Sequence, residues 1–331
     1  MNTPSPSRWV HFRPDNFTLT LFTVVILATF APFDGRVAEE LNRFTDVAIA
    51  ALFFLHGARL PRESVVAGLL HWRLHGVIIA CTFFLFPLLG LMLRPLAGTL
   101  LTPELYIGVL LLCCLPSTVQ ASVAFTAMAG GNVPAAVCAA ALSSLLGVFL
   151  TPLLMSILAG SQGALNDPWQ AASAIVMQLL VPFVVGHLLR PWIGQWVANK
   201  RALLRYTDQG IILLVVYAAF AQAVNEGLWR STPVISLLIA ALVAVLLLAL
   251  VIPLITWLAR RLGFNTHDEI PIVFCGSKKS LISGVPIARV LFADAGLGAI
   301  VLPLMIYHQL QLILCALVAQ RYARKQALRT G

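Results

Sequence analysis

Lys278 and Lys279 stand side by side in a chain that is apolar almost throughout. They lie in the segment Pro271-Ile-Val-Phe-Cys-Gly-Ser-Lys-Lys-Ser-Leu-Ile-Ser-Gly-Val-Pro286, which places Gly276, Ser277, Ser280, Ser283 and Gly284 around them, between two prolines. A lysine near the middle of a bilayer costs roughly 3 kcal/mol or more, so two in a row need a reason. Two ammonium groups, several hydroxyls and a backbone that glycine and proline would break can bind an ion or an anion. Broken backbone at membrane depth is tolerated only inside protein or beside a water-filled cavity, and transporters place their sites at such breaks. The plainer alternative is a basic cytoplasmic loop. Ile270 to Phe274 and Leu281 to Phe292 are too apolar for one.

A second polar interruption lies at Pro116-Ser-Thr-Val-Gln-Ala-Ser122, where a proline and four polar side chains interrupt an apolar run. Thr126 follows one turn later, and Gly130-Gly131-Asn132 ends the run with a tight turn. A proline kink whose hydroxyls bond back to the helix would also account for this stretch. Its pairing with the lysine segment strengthens the functional reading. Thr82, and His308 with Gln311 on one helix face after Pro303, could line the same place. Interhelical hydrogen bonding explains the last two equally well. Ser143 and Ser144 read as small-residue packing positions. No nucleophile has an adjacent base and no carboxylate pair is placed for acid–base work, so an enzyme is not expected.

These residues must be held by membrane helices. The chain has 331 residues, 60% hydrophobic and 11% charged, against about 25% charged in soluble domains; its mean hydropathy is +0.91. Ten spans of near-bilayer length are predicted, approximately 17–32, 44–56, 74–93, 103–128, 133–158, 169–189, 206–224, 233–258, 268–292 and 296–320. Thr102-Pro103, Asp167-Pro168 and Thr232-Pro233 each put a capping residue before a proline at the first helical position. Thr266 with Glu269 has capping-box spacing. The six cysteines, all in apolar segments, read as buried thiols, and no metal site or cofactor is expected. The net charge of +9 is not a nucleic-acid signal, because no basic patch alternates with aromatics on a polar face. Instead Arg8, Arg13, Arg59, Arg62, Arg73, Arg190, Lys200, Arg201, Arg205, Arg260, Arg261 and the basic C-terminus collect on one side, which puts both termini in the cytoplasm. All seven tryptophans, Trp9 and Trp169 among them, fall near span ends, as an interfacial belt requires. Ten spans make two fives, and an odd repeat inserts its second copy upside down. One transmembrane domain is expected over residues 1–331, with repeats of about 17–158 and 169–320.

The two breaks carry a resemblance. With Phe53-Phe-Leu-His-Gly-Ala-Arg-Leu60, Leu115 to Thr126, Gly131-Asn-Val133, Phe149-Leu-Thr-Pro152 and Phe274-Cys-Gly-Ser-Lys-Lys-Ser-Leu281, the chain resembles the bile acid/sodium symporter superfamily, in particular the orphan branch of solute carrier family 10 and its bacterial relatives. The resemblance implies an all-α fold of two inverted five-helix repeats. Spans three to five and eight to ten would form a core domain and spans one, two, six and seven a panel, with discontinuous helices 4 and 9 crossing near the midplane. It also implies where this chain departs. Sodium-coupled members carry Glu-x-Gly-x-Gln-Asn at the span-nine crossover; aligned on Gly276, Phe274, Lys278 and Lys279 take the places of its glutamate, glutamine and asparagine. The family's sodium-binding hydroxyls on span five fall on Ala136 and Ala140, and a span-three glutamine on Thr82. Sodium needs oxygen ligands of the hard-cation kind, so sodium coupling of the family type is not expected.

The function expected is therefore secondary transport of a small or amphipathic organic anion, by alternating access, across the bacterial cytoplasmic membrane. Ser117, Thr118, Gln120, Ser122, Thr126, Thr82, Gly276, Ser277, Lys278, Lys279, Ser280 and His308 are the expected crossover and substrate residues. One lysine would replace sodium as a tethered cation. Lys278 is favoured because it aligns with the sodium-holding glutamine, and the other would face the cytoplasmic cavity or pair with Glu269. The charge of a buried lysine is sensitive to its surroundings, which would make transport proton-coupled or uncoupled. A membrane regulator or sensor on the same fold is the alternative. Such a protein would usually bring an appended soluble domain, and only about 16 residues precede the first span and about 11 follow the last.

Overall fold

In a computed structural model the chain is described over residues 16–59, 71–160, 176–292 and 296–330. Arg8, Trp9, Arg13, Arg62, Asp167-Pro168 and Trp169 lie outside these residues. The described chain is helical, with a single isolated bridge between Ala97 and Leu101. Its helices are α1 (Asn16–Phe30), α2 (Gly35–Arg59), α3 (Trp72–Met92), α4 (Pro103–Cys114), α5 (Val119–Met128), α6 (Val133–Gly160), α7 (Val176–Asn199), α8 (Arg201–Asn225), α9 (Val234–Arg261), α10 (Thr266–Ser277), α11 (Leu281–Leu291) and α12 (Leu297–Thr330), with a single turn at Leu228–Ser231 between α8 and α9. Six of these are long and apolar enough to cross a membrane: α3, α6, α7, α8, α9 and α12. The pair α4 and α5, bent by 59° at its break, makes a seventh when counted as one span.

Helix ends follow local chemistry. Thr102 caps α4, its side chain accepting from the Leu105 N–H, and Pro103 opens the helix as expected. Two cap expectations are corrected. Pro233, not Thr232, occupies the cap of α9, because the chain is already extended at the proline. Asn265, not Thr266, caps α10, its side-chain oxygen accepting from the Asp268 N–H at 2.9 Å. An amide three residues before Asp268 reaches that N–H without the reciprocal contact a capping box needs.

Packing separates the helices into two groups. In one, α2 lies along α7, α1 along α8, and α8 touches α2. In the other, α4 lies along α12, while α10 packs against α3, α5, α6 and α9. The α2–α7 contact is a small-residue crossing. A Cβ on Gly57 would collide with the Phe183 carbonyl, and one on Gly186 with the Phe54 carbonyl. Such close backbone approach is how membrane helices gain packing energy without a hydrophobic driving force. α8 joins the two groups through α11 and α12.

The segment α10–α11 runs through the middle. From Glu269 to Leu281 every residue is buried, and Lys278 and Lys279 are both 0% exposed. A helix surrounded on all faces is a core helix, and the charges in it must be accounted for one by one.

Candidate functional site

The site forms where two broken helices meet. α4 ends at Cys114 because Leu115 turns extended (ψ 153°) and Pro116 follows, and proline restricts its predecessor away from helix. The chain resumes helix at Val119. α10 ends at Ser277, Lys278 is extended (ψ 146°), and α11 begins at Leu281. The two extended pieces bond to each other: the Ser280 N–H donates to the Pro116 carbonyl at 2.9 Å, and the Thr118 hydroxyl donates to the Lys279 carbonyl at 3.1 Å. Gly147 permits this arrangement from α6, since a Cβ there would stand 2.5 Å from the Pro116 ring.

A helix end leaves carbonyls without intrahelical donors, and here those of Cys113, Cys114 and Leu115 are met by side chains from other segments. Lys279 Nζ donates to the Cys113 carbonyl at 2.9 Å and to the Leu115 carbonyl at 2.8 Å. The Thr151 hydroxyl takes the Cys114 carbonyl at 2.8 Å. The third bond of Lys279 Nζ goes to the Thr82 carbonyl at 2.9 Å. That carbonyl is free for a local reason. Residues Cys81–Leu85 of α3 form a π-turn, so the Phe86 N–H bonds to Cys81 instead of Thr82. The next residue along is Pro87, which has no N–H to offer. The Phe86 ring covers the ammonium with its centroid at 4.1 Å. All three donors of Lys279 are thus satisfied, at the negative end of the α4 dipole.

α12 holds the lysine's peptide unit. Gln311 accepts from the Lys279 N–H through Oε1 and donates to the Lys279 carbonyl through Nε2, both at 2.9 Å. His308 Nδ1 lies 3.0 Å from Gln311 Nε2. The Tyr307 hydroxyl donates to the Ser277 carbonyl at 2.8 Å, meeting the last turn of α10.

The expected site residues take different places. Ser117, Thr118, Ser122, Lys279 and Ser280 come together at the crossing. Ser122 donates to the Phe274 carbonyl at 3.2 Å and lies 3.4 Å from the Ser117 hydroxyl. Ser280 caps α11 by accepting from the Ser283 N–H. Thr82 contributes its carbonyl, while its buried hydroxyl has no partner among the described residues. The hydroxyls of Thr126 and Ser277 bond back within their own helices, to Ser122 and Val273. Gly276 packs beside Ile255 and Cys81. His308 acts on the crossing through Gln311. Gln120 is exposed on the first turn of α5, outside the buried crossing.

Lys278, which the alignment favours, meets no carbonyl. Its Nζ lies 3.8 Å from the centroid of the Phe125 ring and has no hydrogen-bond partner among the described residues. Glu269 does not pair with it. That carboxylate is held by Arg260 at 2.8 and 2.9 Å and by the Tyr322 hydroxyl at 2.6 Å, near the start of α10. Ser143 is more than packing: its hydroxyl accepts from the Ser117 N–H at 3.0 Å. Sequence reasoning placed Gln311 on the face of His308 without its double bond to Lys279. It quoted Thr151 only within Phe149-Leu-Thr-Pro152, without its bond to the Cys114 carbonyl, and it missed the Pro87 device, since a π-turn leaves no periodic signal.

A model of the SBF-like CPA transporter family matches residues 15–324. The chain belongs to this family. It is 56% identical over 315 residues to "Uncharacterized protein PA2026" of Pseudomonas aeruginosa, covering 95% of both chains. It is 52% identical over 311 residues to "Putative symporter YfeH" of Escherichia coli, covering 94% of this chain and 93% of the other. It is also 30% identical over 312 residues to "Sodium/bile acid cotransporter 7" of Xenopus tropicalis, covering 91% of this chain and 90% of the other. These matches support membership of the bile acid/sodium symporter superfamily and a multi-pass transporter of small molecules.

Proposed function

We propose that this family member is a secondary transporter of a small or amphipathic organic anion, in the cytoplasmic membrane of a bacterium, with both termini cytoplasmic. It works by alternating access and carries a tethered lysine where sodium-coupled relatives place their ion. The observation that carries this is Lys279: a buried ammonium bonded to three backbone carbonyls at the meeting of two broken helices. Carbonyl oxygens so gathered are a cation site, and the cation is a side chain. Lys279 rather than Lys278 takes the role, because only its ammonium has carbonyls within reach.

The reading includes two inverted repeats. α1, α2, α3, α4–α5 and α6 correspond to α7, α8, α9, α10–α11 and α12. Under that exchange the contact of α2 with α7 becomes that of α8 with α1, α4 with α12 becomes α10 with α6, and α3 with α4 becomes α9 with α10. All six pairings are present. The α1, α2, α7 and α8 group would be the panel and the remainder the core that moves against it.

A tethered cation removes the need for sodium, so substrate movement is uncoupled or driven through protons. Uptake by proteoliposomes across a panel of organic anions, in sodium-free buffer, tests the reading. Sodium-independent uptake that falls to background in Lys279→Gln is expected. Strict sodium dependence of the native protein would refute it.

A further inference from the structure

We propose that Lys278 is the anion hook of the transport site: its ammonium binds the carboxylate or sulfonate head of the substrate, and the Phe125 ring is the lid over it. The proposal rests on the transporter reading above and adds what that reading lacks, a group to hold the anion.

Donor counting separates the two lysines. An ammonium has three N–H donors, and Lys279 spends all three on the carbonyls of Thr82, Cys113 and Leu115. It has none left for a substrate. Lys278 is just as buried, at 0% exposure, and its Nζ finds no acceptor among the described residues. Its contact is the face of Phe125 at 3.8 Å. An aromatic face returns only part of the hydration an ammonium gives up. Of the two acids of its own helix pair, Asp268 is bonded to Asn132 and Asn265, and Glu269 to Arg260 and Tyr322. An oxyanion arriving at Nζ would supply both the missing acceptors and the missing charge.

The surroundings describe the rest of the ligand. Phe125 is only partly buried on α5, and its ring faces the ammonium. Phe125 lies against Phe274 at 5.9 Å between ring centroids, and Phe274 against Tyr322 at 6.4 Å. Phe274 is 0% exposed, so with Phe125 displaced by a ligand this aromatic row would become the apolar wall for the body of a ligand whose head is at Lys278. One unpaired ammonium suits a single negative charge. The class is therefore a monoanion with an apolar body.

The test uses the purified full-length protein in sodium-free buffer, with hexanoate and hexanesulfonate as probes and the neutral, isosteric hexanamide as control. Titration calorimetry should show binding of both anions, with hexanamide at least about tenfold weaker. Lys278→Met, verified as folded by its thermal transition, should lose the preference for the anions, and Lys278→Arg should recover part of it. Equal affinity for hexanoate and hexanamide, full anion affinity in Lys278→Met, or no binding of either anion by the folded native protein would overturn the proposal. Anion binding that requires Lys278 in a protein without uptake activity supports this site while refuting transport. Uptake undiminished in Lys278→Met refutes this site and leaves transport standing.

Discussion

Replacing the two lysines by methionine, one at a time, should change stability in opposite directions. Methionine is close to lysine in length and adapts to irregular apolar space, so packing changes little. Lys279→Met removes the donor from three buried carbonyls, those of Thr82, Cys113 and Leu115. An orphaned buried acceptor costs about 1–3 kcal/mol, so three set a loss of at least about 3 kcal/mol. Favourable interaction with the C-terminal end of the α4 dipole, typically about 0.3–1 kcal/mol, is lost as well. Lys278→Met removes an ammonium that has no hydrogen-bond partner among the described residues. It forfeits an aromatic contact worth about 2 kcal/mol when desolvated, and relieves a burial cost of several kcal/mol. The expected result is no loss, or a gain of about 1–2 kcal/mol. Thermal unfolding in sodium-free detergent, followed by tryptophan fluorescence, reads both. A lower midpoint for Lys279→Met beside an equal or higher one for Lys278→Met is expected. Similar losses in the two variants, or the reverse order, would refute the division of roles.

Further outcomes follow from the same geometry. Gln311→Leu leaves the Lys279 N–H without its partner and its carbonyl with Thr118 alone, and should cost about 2 kcal/mol of stability together with most uptake, measured in the same proteoliposomes. Gly186→Leu places a side chain against the Phe54 carbonyl and should abolish stable folding, seen as loss of the monodisperse peak on gel filtration. Arg289 on α11, 6% exposed, meets Asp46 of α2 at 3.6 Å and Gln222 of α8 at 3.4 Å. Arg289→Gln should therefore loosen α11 from α2 and α8 and alter the uptake rate, and the pair Arg289→Asp with Asp46→Arg should restore it. A cysteine at the exposed Gln120 should react quickly with a water-soluble thiol reagent, and one at the buried Ser122 should react only under conditions that open the crossing, as followed by mass shift.

Much of this protein is legible in its sequence. Runs of about 20 apolar residues have few physical destinations, so the helical class and the membrane setting follow from composition. The two interruptions, Pro116 to Ser122 and Gly276 to Ser280, were readable because proline and hydroxyls inside apolar sequence break a helix wherever it lies. Thr102-Pro103 was readable for the same local reason. Caps that depend on which of two adjacent residues is extended, Asn265 and Pro233, were misplaced by one position.

What the sequence alone could not decide is which lysine does what. Lys278 and Lys279 are identical in type and adjacent, and alignment with sodium-coupled relatives pointed to the first. The choice belongs to α3 and α12, far away in the chain. The π-turn before Pro87 leaves the Thr82 carbonyl without a donor, and Gln311 grips both polar atoms of the Lys279 peptide. Together they orient that residue so that its side chain runs to the end of α4. Lys278, one step earlier, is turned toward Phe125. Local sequence determines that the chain breaks at this point; only the packing of distant helices determines which ammonium fills the break and which is left free.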